Sequence, residues 1–326
     1  MKTAFFFILT FCLTGILSAY EAYDFVVAKD GSGNFRTLQE AINAVPDYRK
    51  KATTIFIKKG IYKEKVIVAE SKKMVTLIGE DADCTIITYD DYAQKKNIFG
   101  EEKGTSGSAG VYVYGSDFSA RNLTFTNTAG PVGQAVAVLV KADRAAFYNC
   151  RFRGFQDTLY AYGDSNGLAR QYYENCYIEG TVDFIFGWAT AWFERCTICS
   201  KLKNGYVTAA ATMPECAYGF VFRECRLVAE DSTASVYLGR PWKGHAAVIY
   251  LACQMGNHIR PEGWHNWNNP DAEKASRYAE YKSSGPGGNS SRRVSWSRQL
   301  TDTEASAITP AAVLSGADGW MPMSKN

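Results

Sequence analysis

Hydrophobic and polar residues alternate over short runs through most of this chain, and the runs return at a long interval. Phe147-Tyr148-Asn149-Cys150-Arg151-Phe152 is matched by Tyr173-Glu174-Asn175-Cys176-Tyr177-Ile178 and by Phe193-Glu194-Arg195-Cys196-Thr197-Ile198. The theme recurs in Phe222-Arg223-Glu224-Cys225-Arg226-Leu227 and in Tyr250-Leu251-Ala252-Cys253, while Ala120-Arg121-Asn122-Leu123-Thr124-Phe125 carries Leu in place of Cys. From Leu123 onward the successive spacings are 27, 26, 20, 29 and 28 residues. A strand-sized unit repeating at that interval, without helices between, predicts a solenoid, here a single-stranded parallel β-helix in which equivalent residues of neighbouring coils stack about 4.8 Å apart. Cys150, Cys176, Cys196, Cys225 and Cys253 then form one inward ladder. Leu123 at the same place marks the slot as apolar, where a free Cys packs as a small hydrophobe.

The pattern changes at the two ends. Thr37 to Val45 has helical spacing and is stopped by Pro46, which predicts a short helix capping the N-terminal end of the solenoid. From Asn268 the chain turns polar and includes Ser283-Ser284-Gly285-Pro286-Gly287-Gly288-Asn289; it is expected to pack irregularly along the solenoid. A further helical segment is expected between Thr301 and Leu314. Lys2, an apolar run from Ala4 to Leu17 and then Leu17-Ser18-Ala19 have the layout of a signal peptide over residues 1–19. The run is short for a bilayer span, and polar Tyr20-Glu21 follows at once. Residues 20–326 are expected to form one exported β-helix domain, delivered to a periplasm or to the outside of the cell, with no membrane anchor after cleavage.

Composition changes this picture in one respect. In an exported chain, Cys84, Cys199 and Cys216 together with the five ladder cysteines would ordinarily indicate a disulfide framework. Their placement in equivalent slots of a repeat points to mostly unpaired thiols instead. Cys196 and Cys199 form a C-x-x-C pair, but it sits on an alternating strand and no second pair completes a metal site. The net charge of +3, of which Lys2 supplies one, gives no reason to expect nucleic-acid binding and tolerates an acidic polysaccharide. Aromatic residues make up 14% of the chain, which suits a β-rich core and a sugar-binding cleft alike.

The register of the repeat also brings two acids together. Asp157 lies seven residues after Cys150 and Asp183 seven after Cys176, with Gly154 and Gly180 equally matched. The two carboxylates therefore occupy one position on adjacent coils, with backbones about 5 Å apart. Carboxylates that close drive each other's pKa values apart, so that one serves as acid while the other stays anionic. That division of labour suits attack on an ester or on a glycosidic bond.

The segments around these acids, GFQDTLY and TVDFIFG, together with YLGRPW (Tyr237 to Trp242) and GPVGQAVA (Gly130 to Ala137), resemble the signature segments of the pectin methylesterases. KDGSGNFRTLQEAINAVP, PEGWHNW and YAEYKSSGPG are similar to that family as well, so the resemblance covers nearly the whole chain after residue 19. It implies a right-handed parallel β-helix that hydrolyses the C6 methyl esters of galacturonate in pectin, without a cofactor; no metal site is expected, and nothing in the sequence demands more than a monomer. Carried over by motif, Asp183 is the nucleophile and Asp157 the general acid and base. Gln156 and Gln134 stabilise the oxyanion, and Arg240 orients Asp183. Trp242, Tyr160, Phe186 and Thr105 contact the sugar. Gly133, ahead of Gln134, departs from the bulkier polar residue of many relatives, which bears on the cleft rim rather than on the chemistry.

Three other readings compete. Gly163-Asp164-Ser165-Asn166-Gly167 fits the G-x-S-x-G of serine esterases, with His245, His258 and His265 downstream; that motif needs a strand, a sharp turn and a helix, whereas the flanks here read as extended. A lyase or glycosidase could use the same solenoid, close carboxylates suiting a retaining glycosidase. A non-catalytic polysaccharide binder would use Trp242, Trp264 and Trp267 as platforms and would not need two acids in register.

Overall fold

The computed structural model describes residues 23–163, 169–230 and 235–322. Residues 1–19 and Ser165 fall outside these, and with them the expected signal peptide and the alternative nucleophile. Among the described residues, every strand pairing between named strands is parallel, and the strands fall into three sheets of eleven, eight and seven members. One coil runs Ala145–Tyr148 in the first sheet, Arg151–Arg153 in the second and Leu159–Ala161 in the third. The next coil repeats the path with Arg170–Glu174, Tyr177–Gly180 and Val182–Gly187. The expected parallel β-helix is therefore the observed fold.

The corner between the first and second sheets explains the repeating motif. Asn122, Asn149, Asn175, Arg195, Glu224 and Ala252 all take positive φ, between 50° and 53°, so the chain turns sharply at a single left-handed residue. Asn accepts that conformation most readily among non-glycine residues, which accounts for its place before Leu123, Cys150 and Cys176. The residue that follows each corner points inward. Cys150, Cys176, Cys196, Cys225 and Cys253 are buried free thiols. The sulfurs of Cys176, Cys196, Cys225 and Cys253 donate to the carbonyls of Phe147, Tyr173, Phe193 and Phe222 on the preceding coil, at 3.4–3.5 Å. A small apolar group with a weak donor suits a slot that is apolar yet faces a row of carbonyls. Burial pushes the Cys150 thiol up to about 12, so that it stays protonated and inert.

Three residues before each cysteine an aromatic ring faces the interior. Phe147, Tyr173, Phe193, Phe222 and Tyr250 stack in sequence at 5.1, 4.7, 4.4 and 4.7 Å between ring centroids. Each ring removed from water contributes about 1.5–3 kcal/mol, so this column is a main source of cohesion between coils.

The ends follow the expectations with one correction. Leu38–Ala44 is a helix with a full capping box between Thr37 and Glu40, and it buries Leu38, Ala41 and Ile42 against the N-terminal coils. The Glu64 carboxylate accepts from the Leu38 and Gln39 amides, both at 2.9 Å, and so anchors the start of the helix. The segment after Asn268 is more regular than expected. Pro270–Ala275 is helical, and Arg277–Tyr281 pairs with Ala247–Leu251 to extend the first sheet by a further strand. Its pattern hides this because Ser283 stands where the ladder would carry Cys. Helices Asp302–Ala307 and Pro310–Leu314 then return along the outside of the first sheet, where Val313 and Leu314 pack with Tyr172 and Trp192. Arg170 secures them by pairing with Asp143 and Asp318 and donating to the Leu314 carbonyl at 3.1 Å. The middle of the first sheet is thus covered on both faces, whereas the middle of the third sheet turns an aromatic face outward.

Candidate active site

The open face of the third sheet carries a cavity of about 340 Å³ lined by Thr105, Gln134, Gln156, Asp157, Asp183, Phe186, Ala209, Arg240, Trp242 and Trp267. The pairing of Leu159 with Ile185 and of Tyr160 with Phe186 puts Asp157 and Asp183 at equivalent positions on adjacent coils, as the spacing predicts. Both acids take positive φ, 64° and 52°. The Asp157 amide donates to the Val182 carbonyl at 3.1 Å and locks the two coils together at this point. On its other side, Val182 pairs with Tyr206 while Ile185 pairs with Thr208, so three steps of one strand face two of the next. Asp183 sits in that bulge, a device that re-aims a side chain where a regular strand would not. Gly180 makes the approach to it possible, since a Cβ there would lie 2.2 Å from that of Phe184.

The two carboxyls differ in charge environment. Asp183 is 5% exposed and accepts a two-pronged interaction from Arg240, Nε to Oδ1 at 2.9 Å and Nη2 to Oδ2 at 2.7 Å. Burial raises its pKa, and the Arg240 hydrogen bonds and charge oppose that rise. Asp157, 7% exposed, is pushed well above the usual carboxylate range by burial and then by the negative charge of Asp183, with only a through-space pull from Arg240 against it. The pair therefore loses its protons in order, Asp183 first.

Arg240 is itself held. Its guanidinium lies between two rings, 3.9 Å from the centroid of Tyr206 and 3.6 Å from that of Trp267. Tyr206 stacks on Tyr237 at 5.3 Å, and the Trp267 amide donates to Nδ1 of His265 at 3.0 Å. A planar cation clamped on both faces keeps the fork aligned with the carboxylate. Sequence reasoning did not find the Tyr206 part of this clamp, and it had Trp267 only as a binding platform. Trp267 lies in the loop after the last cysteine unit, where no register relates it to Arg240. Trp264, also expected as a platform, is 1% exposed and stacked on Tyr278 at 4.3 Å in the core, so it cannot meet a ligand.

On the other side of the acids, Gln134 and Gln156 face each other across neighbouring coils. The Gln134 side-chain carbonyl accepts from Gln94 at 3.2 Å, which turns its NH2 toward the cavity. Thr105 sits in the short helix Gly104–Gly107 at the end of a turn. Both arms of that turn are tied to buried Asp91, which binds Lys65, Lys95 and Lys103 at 2.8–2.9 Å. Burial alone would raise the Asp91 pKa, but the three lysines outweigh it and bring it to about 2. Tyr160 and Phe186 stack at 4.0 Å beneath Trp242; Phe186 reaches the cavity, while Tyr160 supports it from below. Leu159–Ala161 and Arg170–Glu174 flank the G-x-S-x-G segment as strands on both sides, the arrangement that a nucleophile elbow does not have. Among the described residues, no group of three or more His, Cys, Asp or Glu is placed to hold a metal ion.

A parallel β-helix bearing two buried carboxyls in register, one of them gripped by arginine beside amide donors, has the groups that a carboxylic ester hydrolase needs. The chain belongs to the pectinesterase family, whose model matches residues 24–317. It is 42% identical to Pectinesterase 31 of Arabidopsis thaliana over 287 residues, which cover 86% of this chain and 88% of that protein. To Pectinesterase 4 of the same plant it is 41% identical, spanning 84% of this chain and 47% of that longer relative. Among solved structures, pectin methylesterase from carrot superposes with a TM-score of 0.86 at 36% identity, covering 94% of this chain and 99% of that one. Pectin methylesterase PemA from Erwinia chrysanthemi follows at 0.81 and 31% identity, over 93% and 99%.

Proposed function

We propose that this chain hydrolyses the C6 methyl esters of galacturonate units in pectin, releasing methanol and leaving pectate. The observation that carries the reading is the ordered carboxyl pair, with Asp157 pushed well above the usual carboxylate range by burial and by Asp183, and Asp183 gripped by Arg240. Support for pectin as substrate comes from a further similar structure, a pectin methylesterase in complex with a hexasaccharide, at 31% identity and a TM-score of 0.80.

An Asp183 carboxylate oxygen attacks the ester carbonyl carbon, and the carbonyl electrons move onto oxygen. The NH2 groups of Gln134 and Gln156 stabilise that oxyanion; neutral amides do so without titrating. Collapse breaks the bond to the methoxy oxygen, which takes the Asp157 proton and leaves as methanol. The anhydride so formed joins the substrate acyl group to Asp183. Asp157, now anionic, removes a proton from water as the water oxygen attacks the acyl carbon. The second collapse frees the Asp183 carboxylate and the galacturonic acid, and Asp157 has its proton again. Trp242, Phe186 and Thr105 hold the sugar in the cavity, with Tyr160 beneath.

The domain acts as a monomer after removal of residues 1–19, in a periplasm or outside the cell. The test is to express residues 20–326 and follow highly methylated pectin by three readouts: methanol, new reducing ends and unsaturated products. Methanol alone supports the esterase. Reducing ends or unsaturation without methanol would replace it with a glycosidase or a lyase on the same solenoid.

A further inference from the structure

Beside the cavity, the third sheet carries a second column of residues that the esterase chemistry does not use. Tyr162 lies five residues after Asp157, and Trp188 lies five after Asp183. Pairing of Ala161 with Gly187 keeps them in register. One coil earlier the same position is Lys141, because Val140 pairs with Ala161. Two coils after Trp188 the column ends at Trp242, because Pro241 pairs with Ala210 and Ala210 with Gly187. At about 4.8 Å per strand, Lys141 to Trp242 spans roughly 19 Å, the length of several sugar rings.

Tyr162 and Trp188 are half-buried, with ring centroids 4.2 Å apart. Trp188 lies 6.0 Å from Trp242, which joins the pair to the cavity wall. The local backbone accommodates the indole: a Cβ on Gly163 would lie 2.1 Å from Trp188 Cδ1. Two exposed lysines flank the rings. Lys141 Nζ stands 5.9 Å from the Tyr162 centroid, and Lys243 Nζ 6.0 Å from that of Trp242. Half-exposed rings on an open sheet face present an apolar surface that suits the CH face of a pyranose. Cations at both ends suit carboxylates on that sugar chain and would gain nothing from methyl esters.

We propose that Tyr162, Trp188, Lys141 and Lys243 form an accessory subsite for de-esterified galacturonate units, lying along the flank of the catalytic cavity. It rests on the pectin reading above and extends it: the enzyme grips stretches of polymer that already bear free carboxylates and so favours partly de-esterified pectin. Stacking by Tyr162 and Trp188 supplies contact area, and the lysines supply preference for the acid over the ester.

Three proteins test this: wild type, Trp188→Ala and the surface variant Lys141→Gln. Methanol release is measured on partly de-esterified pectin and on a fully methylated trigalacturonate, and binding of fully de-esterified polygalacturonate is measured at low and high salt. The expected result for Trp188→Ala is a KM on the polymer raised about tenfold with kcat retained, as for loss of uniform binding. Its constants on the trisaccharide stay at the wild-type values. Lys141→Gln is expected to weaken polygalacturonate binding about threefold at low salt and to flatten its salt dependence. Polymer KM and polygalacturonate binding unchanged in both variants would overturn the subsite. A wild type that releases no methanol would overturn the esterase reading instead, and the polygalacturonate measurement would still decide the subsite by the same two outcomes.

Discussion

The cysteine corner and the acid corner of this solenoid are built by the same coils, yet they use the repeat in opposite ways. At the first, six successive coils present Leu or Cys behind a left-handed residue, every slot faces the same apolar interior, and the last four sulfurs each reach a carbonyl of the preceding coil. At the second, only two coils carry acids, their neighbours are glutamines and an arginine, and the strand bulges at Asp183. Repetition brings like residues together cheaply. Chemistry then depends on breaking the likeness, so that two carboxyls one strand apart meet different charges. The cysteine column is a matter of packing, and the acid column one of electrostatics.

The sharpest break is expected at the proposed nucleophile. Asp183→Asn should lower kcat by about 10⁴ or more while keeping the fold, as loss of a covalent nucleophile does. Next comes the proposed oxyanion pair: Gln134→Ala or Gln156→Ala should each cost about 10²–10³ in kcat, with KM little changed. Arg240→Lys retains the charge but loses the fork and the stacking between Tyr206 and Trp267. Its kcat should fall about 10²-fold and the acid limb of its pH profile should move upward, because Asp183 loses its hydrogen bonds to a permanent cation. The smallest effect is expected at the other corner. Cys196→Ala should lower unfolding free energy by about 1 kcal/mol in urea titrations and leave kcat/KM as it was.

The pH dependence follows from the two directions. Activity should fall on the acid side as Asp183 takes up a proton and on the alkaline side as Asp157 loses one. Stability runs with Asp157 as well. Its pKa is raised in the folded state, so its favourable contribution is complete below the ordinary carboxylate range and is lost as pH rises through its folded value. Asp157→Asn should therefore melt at a higher temperature than the wild type at neutral pH, though inactive. At a pH below the ordinary carboxylate range the gap should close.

Much of this was legible in the chain. The aromatic three before each cysteine, the Asn-Cys corner and the seven-residue offset to Asp157 and Asp183 follow from one repeat, because stacked coils must place equivalent residues in equivalent slots. The N-terminal coils from Thr53 to Tyr89 escaped that reading, since their corners carry no Asn-Cys or Asn-Leu pair; the one that holds Cys84 reads Glu80-Asp81-Ala82-Asp83-Cys84. Arg277–Tyr281 escaped it because its corner uses Lys282 and Ser283. At the site, identity and spacing pointed to the acids but not to the bulge that aims Asp183, since a bulge is a mismatch between two strands that neither reveals alone. The stacking of Tyr206 and Trp267 on Arg240 was hidden for a similar reason: it joins a strand to a loop outside the repeat.

The central claim is that Asp183 is the covalent nucleophile of a methyl esterase. The most direct measurement is methanol released from highly methylated pectin by the wild type and by Asp183→Asn, purified alike and matched by circular dichroism. Steady release by the wild type and none detectable from the variant is the predicted result. Release by both at similar rates would contradict the mechanism and return attention to Ser165.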